Sequence, residues 1–173
     1  MTDFHLTIVS TGGTIEKTYE ATSGALSNRE TVLDHMLAQL RTPDLRINRI
    51  RLMNKDSLEM TPEDHQLIAR SAHQVAADCD GVMVVHGTDR LAESGESTIA
   101  MGTPAAPIVF TGAMRPFELR DTDALQNLTE ALLAVRLLEP GVYVAMHNRV
   151  LAFPGVVKDR TAGTFGRAGQ SIG

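Results

Sequence analysis

A short run of almost uninterrupted apolar residues, GVMVVH at positions 81–86, places the strongest constraint on how this chain can fold. A strand that faces solvent on one side alternates apolar and polar residues, whereas a strand covered on both faces is apolar throughout. Similar short apolar runs begin at residues 4, 107 and 142, and helical patterns separate them. This alternation predicts an α/β fold: a single open, mostly parallel sheet with helices on both faces.

The positions of the individual elements follow from hydrophobic periodicity. Helices are predicted at residues 30–41, 61–78, 91–101 and 121–138, and Thr61 followed by Pro62 is typical of a capped helix start. Strands are predicted at residues 4–10, 45–53 (an edge strand), 81–86, 107–110 and 142–147, with a hairpin return at 150–153. The polar segment 15–28 is expected to be a mobile loop, and 163–173 a glycine-rich tail. Residues 1–173 are thus expected to form one Rossmann-like domain, with no second domain.

Composition excludes several classes of protein. Of the 173 residues, 43% are hydrophobic and 21% are charged, which argues against a disordered chain or a coiled coil. The net charge of −5 disfavours nucleic-acid and membrane partners, because both need a basic surface. The aromatic content of 4% also disfavours single-stranded nucleic acid, whose bases stack on aromatic side chains. One cysteine allows no internal disulfide, and the histidines lack metal-ligand spacing, so no metal is expected. No leader and no apolar segment of roughly 18 residues is recognisable, so a cytoplasmic location is expected.

Small polar residues follow four of the predicted strands. In an open α/β sheet, ligands bind beyond the carboxyl ends of the strands. The sequence therefore predicts a site where these loops meet. The four segments are Thr11-Gly12-Gly13-Thr14, Lys55-Asp56-Ser57, His86-Gly87-Thr88-Asp89 and Thr111-Gly112-Ala113-Met114-Arg115-Pro116. Neither a G-x-G-x-x-G nor a P-loop spacing is present, which disfavours nucleotide binding.

The loop residues favour a hydroxyl nucleophile. A threonine hydroxyl needs a neighbouring base or cation to become reactive. Asp89, Tyr19 and Lys158 are candidates for that role, and the apolar residues before Lys158 favour partial burial of its side chain. No G-x-S-x-G elbow is present, so a serine-hydrolase triad is disfavoured. Alternatives remain open: Thr88-Asp89 as a helix N-cap, Tyr19 as a plain loop residue and His86 as a hydrogen-bonded strand-end residue.

Three of these segments together resemble a known family. TGGTI at residues 11–15 with Tyr19 following, HGTD at residues 86–89, and GAMRP at residues 112–116 are similar to the bacterial-type L-asparaginases and glutaminase-asparaginases. The resemblance extends over residues 6–165. A smaller C-terminal domain normally follows in that family, so the chain resembles the short-chain form that consists of the N-terminal domain alone.

The resemblance implies a mechanism and a role for each matching residue. Thr14 would be the nucleophile, assisted by Tyr19, and Thr88, Asp89 and Lys158 would form a second hydroxyl–carboxylate–lysine group. Ser57 would bind the substrate's α-carboxylate and Asp89 its α-amino group. Backbone groups around Gly13, Gly87 and Ala113 would bind the amide and the oxyanion. The implied reaction converts L-asparagine through an acyl-threonine into L-aspartate and ammonia, without a cofactor.

Two other functions remain open: a non-catalytic amino-acid-binding remnant, and a glutamine-acting amidotransferase subunit. A homo-oligomer is also expected. A monomer would leave the site edge open, and the helices at 30–41 and 121–138 have enough apolar residues for both a core and an interface.

Overall fold

The computed structural model describes the backbone of residues 3–20, 25–28 and 31–170 and the side chains of residues 3–16 and 32–170. Its strands are β1 (Phe4–Ser10), β2 (Lys17–Glu20), β3 (Ala25–Asn28), β4 (Leu45–Arg51), β5 (Gly81–Val85), β6 (Ile108–Thr111), β7 (Val142–Met146), β8 (Arg149–Ala152), β9 (Val156–Asp159) and β10 (Thr164–Arg167). Its helices are α1 (Thr31–Ala38), α2 (Pro62–Ala76), α3 (Leu91–Ile99) and α4 (Ala124–Leu137).

Six strands form the central sheet, in the order β4-β1-β5-β6-β7-β8. The first five are parallel, and β8 returns antiparallel to β7 as the predicted hairpin. This confirms the predicted α/β fold with a mostly parallel sheet. It also confirms β4 as an edge strand, which explains why partly buried and exposed residues alternate along it.

Two apolar layers cover the sheet, one on each face. Met83 and Val85 of β5 face the layer that contains α1 and α4. Val82 and Val84, which alternate with them, face the layer that contains α2 and α3. All four side chains are fully buried. Burial on both faces is the reason that this strand is apolar at every position.

The start of α2 matches the prediction closely. The Thr61 hydroxyl accepts a hydrogen bond from the Asp64 N–H, and the Asp64 carboxylate accepts one from the Thr61 N–H. This reciprocal capping box, with Pro62 as the first helical residue, satisfies N–H groups that have no partner within the helix.

Two segments differ from the prediction. The expected loop at residues 15–28 contains instead a 3-10 turn at Thr14–Glu16 and two short antiparallel strands, β2 and β3. The expected tail at residues 163–173 contains β10, which pairs antiparallel with β9. Both predictions were wrong because these four-residue strands are too short and too polar for hydrophobic periodicity to identify them.

The sheet has a topological switch point between β1 and β5. From β1 the chain crosses to β4 on one side and then to β5 on the other side. After β1 and after β5 the chain therefore continues in opposite directions from the carboxyl edge, where open α/β sheets bind ligands. The loops after β1 and β5 contain Thr14 and Thr88.

None of the helices in the described part of the chain has the length and apolar character needed to cross a membrane.

Candidate active site

The loops after β1 and β5 pack backbone against backbone. A Cβ atom added at Gly13 would lie 2.5 Å from the Gly87 nitrogen, and Gly13 has a φ of +95°. Both observations require glycine at this position. Gly87 in turn lies against Ser57, since a Cβ on Gly87 would be 2.6 Å from the Ser57 Oγ. A Cβ on Gly112 would be 2.3 Å from the carbonyl oxygen of His86. The four predicted loops thus meet, as expected.

A lysine joins the hydroxyl and the carboxylate of the loop after β5. The Lys158 Nζ donates to the Thr88 Oγ1 at 2.8 Å and to the Asp89 Oδ1 at 2.9 Å. Thr88 is buried, and only 15% of the Lys158 side chain is exposed. A second cation, the mostly exposed Arg160, lies 3.4 Å from the same Asp89 oxygen. Because the Thr88 oxygen accepts from an ammonium, its own O–H remains available to a group bound at the edge.

The structure separates the roles of the two threonines in the loop after β1. The fully buried Thr11 donates from its hydroxyl and from its N–H to the Val85 carbonyl, which fixes the loop to the end of β5. Thr14 begins the 3-10 turn and is partly exposed. Of these two hydroxyls, the Thr14 hydroxyl is therefore the one that a ligand at the edge can reach.

The other predicted binding residues also lie at this edge. Ser57 begins a 3-10 turn, is buried, and belongs to a loop that the Lys55 N–H ties to the Thr11 carbonyl. Ala113 is fully buried in the loop after β6. Tyr19 belongs to β2, but its side chain lies outside the described residues, so its role remains a prediction.

The alternative that Thr88-Asp89 serves as a helix N-cap is not observed. The residue that caps α3 is Arg90, and it makes no side-chain capping hydrogen bond. Thr88 and Asp89 are instead both bonded to Lys158.

Glu16 is a buried carboxyl group that no sequence motif indicated. It lies two residues after Thr14, and its Oε2 accepts from the Gly12 N–H at 3.2 Å. Burial raises the pKa of Glu16 to about 7, although the nearby Arg49, the Gly12 N–H and Ser10 act in the opposite direction. The only indication of Glu16 in the sequence was its place within three residues of the pair Gly12-Gly13.

His147, which directly follows β7, also lies near the site but was not predicted from the sequence. The His147 Nε2 lies 2.7 Å from Asp123, and its Nδ1 lies 2.8 Å from the Thr164 hydroxyl. Burial tends to raise the pKa of Asp123, but the Met114 N–H and His147 outweigh it, so the pKa lies below its ordinary value. This network connects β10, and through it the Lys158 strand β9, to the loop after β6.

No cluster of His, Cys, Asp or Glu suited to a metal ion occurs within the side chains that the structure describes. The groups at the carboxyl edge are instead hydroxyls, a lysine, a carboxylate and backbone amides. Such groups suit a small polar ligand and proton transfer.

The fold and the site define an open α/β protein whose polar groups gather at the switch point of a parallel sheet. More specifically, the chain belongs to the asparaginase family: the family model described as Asparaginase, N-terminal, matches residues 5–166. This confirms the family resemblance inferred from the three motifs.

The relatives include two kinds of enzyme. The chain is 34% identical over 171 residues to an L-asparaginase of Thermococcus kodakarensis, covering 96% of this chain and 51% of the relative. It is 36% identical over 147 residues to a subunit of the glutamyl-tRNA(Gln) amidotransferase of Haloquadratum walsbyi, covering 82% of this chain and 33% of the relative. The chain therefore spans about half the length of the first of these curated relatives and a third of the second.

Solved structures agree with this assignment. The thermostable L-asparaginase from Thermococcus kodakarensis superposes with a TM-score of 0.87 at 29% identity, over 96% of this chain and 52% of that chain. A probable cytoplasmic L-asparaginase from Campylobacter jejuni superposes with a TM-score of 0.75 at 27% identity, over 95% of this chain and 52% of that chain.

Proposed function

We propose that this protein is an L-asparagine amidohydrolase that uses Thr14 as its nucleophile. The observation that supports this most directly is the Lys158 ammonium within hydrogen-bonding distance of both Thr88 and Asp89. The contact between Gly13 and Gly87 brings this group to the loop with Thr14. A hydroxyl, a proton-transfer group and backbone donors are the components that acyl transfer requires.

The proposed reaction has two steps. The Thr14 oxygen forms a bond to the side-chain amide carbon of asparagine, and the C–N bond breaks. The hydroxyl proton passes to the leaving nitrogen, which departs as ammonia. Water then attacks the acyl-threonine ester, releases L-aspartate and restores the Thr14 hydroxyl. Thr88 and Lys158 transfer protons in these steps, and Tyr19 assists Thr14.

Substrate recognition is proposed to use the remaining loop residues. The Ser57 hydroxyl would donate a hydrogen bond to the α-carboxylate, and the Asp89 carboxylate would pair with the oppositely charged α-ammonium group. Backbone N–H groups around Gly13, Gly87 and Ala113 would stabilise the negative oxygen that forms on the amide carbon. Preorganised donors of this type commonly contribute about 10²–10³ in rate.

A second candidate function is ammonia release from glutamine as an amidotransferase subunit. The similarity to subunits of glutamyl-tRNA(Gln) amidotransferases favours it, because those relatives match over 82% of this chain or more. The third alternative, an amino-acid-binding protein without activity, requires an incomplete reaction site. The bonded set of Thr88, Asp89 and Lys158 argues against it.

Ammonia release from L-asparagine and from L-glutamine tests these alternatives. We expect the wild-type protein to hydrolyse L-asparagine, and Thr14→Ala and Thr88→Ala each to lose at least about 10³-fold in kcat. Thr129→Ala, on the exposed face of α4, is the matched control and should retain wild-type activity. Release from glutamine alone would support the amidotransferase function. Binding of L-aspartate without turnover of either amide would support the binding protein.

The expected homo-oligomer and cytoplasmic location remain part of this proposal. Leu133 and Leu137 of α4 support self-association, because they are apolar residues that are 59% and 72% exposed, and contact with a second copy of the chain would remove them from water. Sedimentation velocity of the wild type and of Leu133→Ser/Leu137→Ser tests it. A monomeric wild type would contradict the expectation.

A further inference from the structure

A buried serine on α3 connects two histidines behind the loop with Thr88. Ser94 is fully buried, and its Oγ lies 2.7 Å from the Nε2 of His86 and 2.7 Å from the Nδ1 of His65. The other ring nitrogen of His86, Nδ1, lies 2.7 Å from the carbonyl oxygen of Gly87. The chain of hydrogen bonds therefore runs from α2, through α3, to the backbone of the loop.

Each hydrogen bond in this chain has only one possible direction. A carbonyl oxygen only accepts, so the His86 Nδ1 must hold a proton and donate it to Gly87. Burial lowers the pKa of His86 to about 4, so its ring is neutral and its Nε2 accepts. Ser94 must then donate its one hydroxyl proton to His86, and its oxygen must accept from the His65 Nδ1. The His65 Nδ1 must therefore carry a proton, which is the case in the neutral Nδ1–H form and in the protonated form of the ring.

We propose that Ser94 and His65 are positioning residues that hold His86 in the Nδ1–H form, and that His86 thereby orients and polarises the Gly87–Thr88 peptide group. The donor to the Gly87 carbonyl draws electron density from the peptide and makes the Thr88 N–H a stronger donor. The stabilisation of a developing oxyanion by this stronger Thr88 N–H donor rests on the function proposed above. The hydrogen-bond directions do not depend on that function.

The location of Gly87 explains why this peptide needs a fixed orientation. Gly87 is in close contact with Gly13 on one side and with Ser57 on the other. Rotation of its peptide plane would change the direction of the Thr88 N–H. It would also disturb the contact with the loop that contains Thr14. None of the three residues in the hydrogen-bond chain needs to touch the substrate.

Paired substitutions at His86 separate this role from simple packing. The Nδ2 of asparagine occupies the place of the histidine Nδ1, because both atoms follow Cγ, whereas the Nε2 of glutamine corresponds to the far ring nitrogen. We therefore expect His86→Asn to retain kcat within about threefold and His86→Gln to lose roughly tenfold or more, with KM little changed in both. Equal losses in both variants would overturn the proposal.

A substitution at Ser94 tests the link behind His86. Ser94→Ala should lower kcat by roughly tenfold, because the His86 ring then loses the donor that fixes its tautomer. Ser97→Ala is the matched control, since Ser97 lies on the same helix and its hydroxyl donates to the Glu93 carbonyl of that helix. Equal kcat values for the two variants would contradict the role of Ser94.

A spectroscopic measurement tests the network without relying on activity. In the wild-type protein, ¹⁵N shifts of the His86 ring should show one neutral form with the proton on Nδ1, and Ser94→Ala should produce a mixture of forms. A wild-type His86 protonated on Nε2 would overturn the proposal even if Ser94→Ala fails to fold. If the wild type hydrolyses neither amide but shows the Nδ1–H form, the proposed function fails and the hydrogen-bond network stands.

Discussion

The Nζ of Lys158 lies 2.8 Å from the Oγ1 of Thr88, although 70 residues separate them along the chain. Lys158 reaches this position because β9 pairs with β10, with Phe165 as the direct partner of Lys158. The hydroxyl of Thr164, the residue before Phe165 on β10, is bonded to His147 at the end of β7. The position of the ammonium thus depends on contacts from three separate segments of the chain.

Removing the Lys158 ammonium should strongly reduce turnover while leaving the fold intact. Lys158→Met retains most of the aliphatic side chain but removes the donor to Thr88, and we expect kcat to fall by roughly 10²–10⁴. Arg160→Met is the matched control, because it removes the other cation near Asp89 from an exposed position, and kcat should change by less than about threefold. Steady-state kinetics with circular dichroism measure both. Similar kinetic losses in the two variants would show that only the net charge near Asp89 matters.

The close approach of the two loops should make Gly13 irreplaceable. In Gly13→Ala the new methyl would overlap the Gly87 backbone in addition to the roughly 1–2 kcal/mol of strain from its positive φ. Activity should be lost. Gly102→Ala is the matched control, since Gly102 has a similar φ of +103° but nothing within 4 Å, and it should retain activity with only the strain penalty. Chemical denaturation and ammonia release distinguish the two. An active Gly13→Ala protein would contradict the observed contact.

The buried hydroxyl of Ser57 should contribute to affinity rather than to the chemical step. Ser57→Ala removes the proposed donor to the substrate α-carboxylate, and a hydrogen bond to a charged group contributes about 1.5–3 kcal/mol. KM for L-asparagine should therefore rise by roughly 10- to 100-fold, with kcat nearly unchanged. Isothermal titration with L-aspartate should show a parallel loss. A Ser57→Ala protein with unchanged KM and reduced kcat would assign Ser57 to the reaction instead.

Glu16 should make the stability of the protein depend on pH. Its pKa rises from 4.5 to about 7 on folding, so the folded protein binds this proton more tightly than the unfolded chain does. The stability linked to this proton is fully present below about pH 4.5 and decreases as the pH rises toward 7. Glu16→Gln retains an acceptor for the Gly12 N–H without the charge. Relative to the wild type it should gain up to roughly 3 kcal/mol at pH 8 and much less at pH 5.

Urea denaturation at the two pH values measures this difference. Glu139→Gln, an exposed position two residues after α4, is the charge-matched control and should show no comparable change between them. A Glu16→Gln effect of equal size at pH 5 and pH 8 would mean that Glu16 does not change its protonation state across this range.

The sequence by itself determined the strands of the central sheet, the four helices and the motifs. Apolar periodicity located the strands around residues 4–10 and 81–86, because burial on both faces of a sheet demands continuous apolar residues. It also located α2, whose capping box is a local pattern. The strand-end motifs predicted where the polar groups would gather, because parallel strands place their carboxyl ends at one edge of the sheet.

Only the tertiary structure decided the interactions that complete the candidate site. The pairing of β9 with β10, which positions Lys158, depends on contacts between distant segments rather than on a local pattern. The burial of Glu16 and the His65–Ser94–His86 chain depend on helices and loops that meet only after folding. Hydrogen bonding and desolvation act between whatever groups the fold brings together, so they are set by three-dimensional neighbours and not by neighbours in sequence.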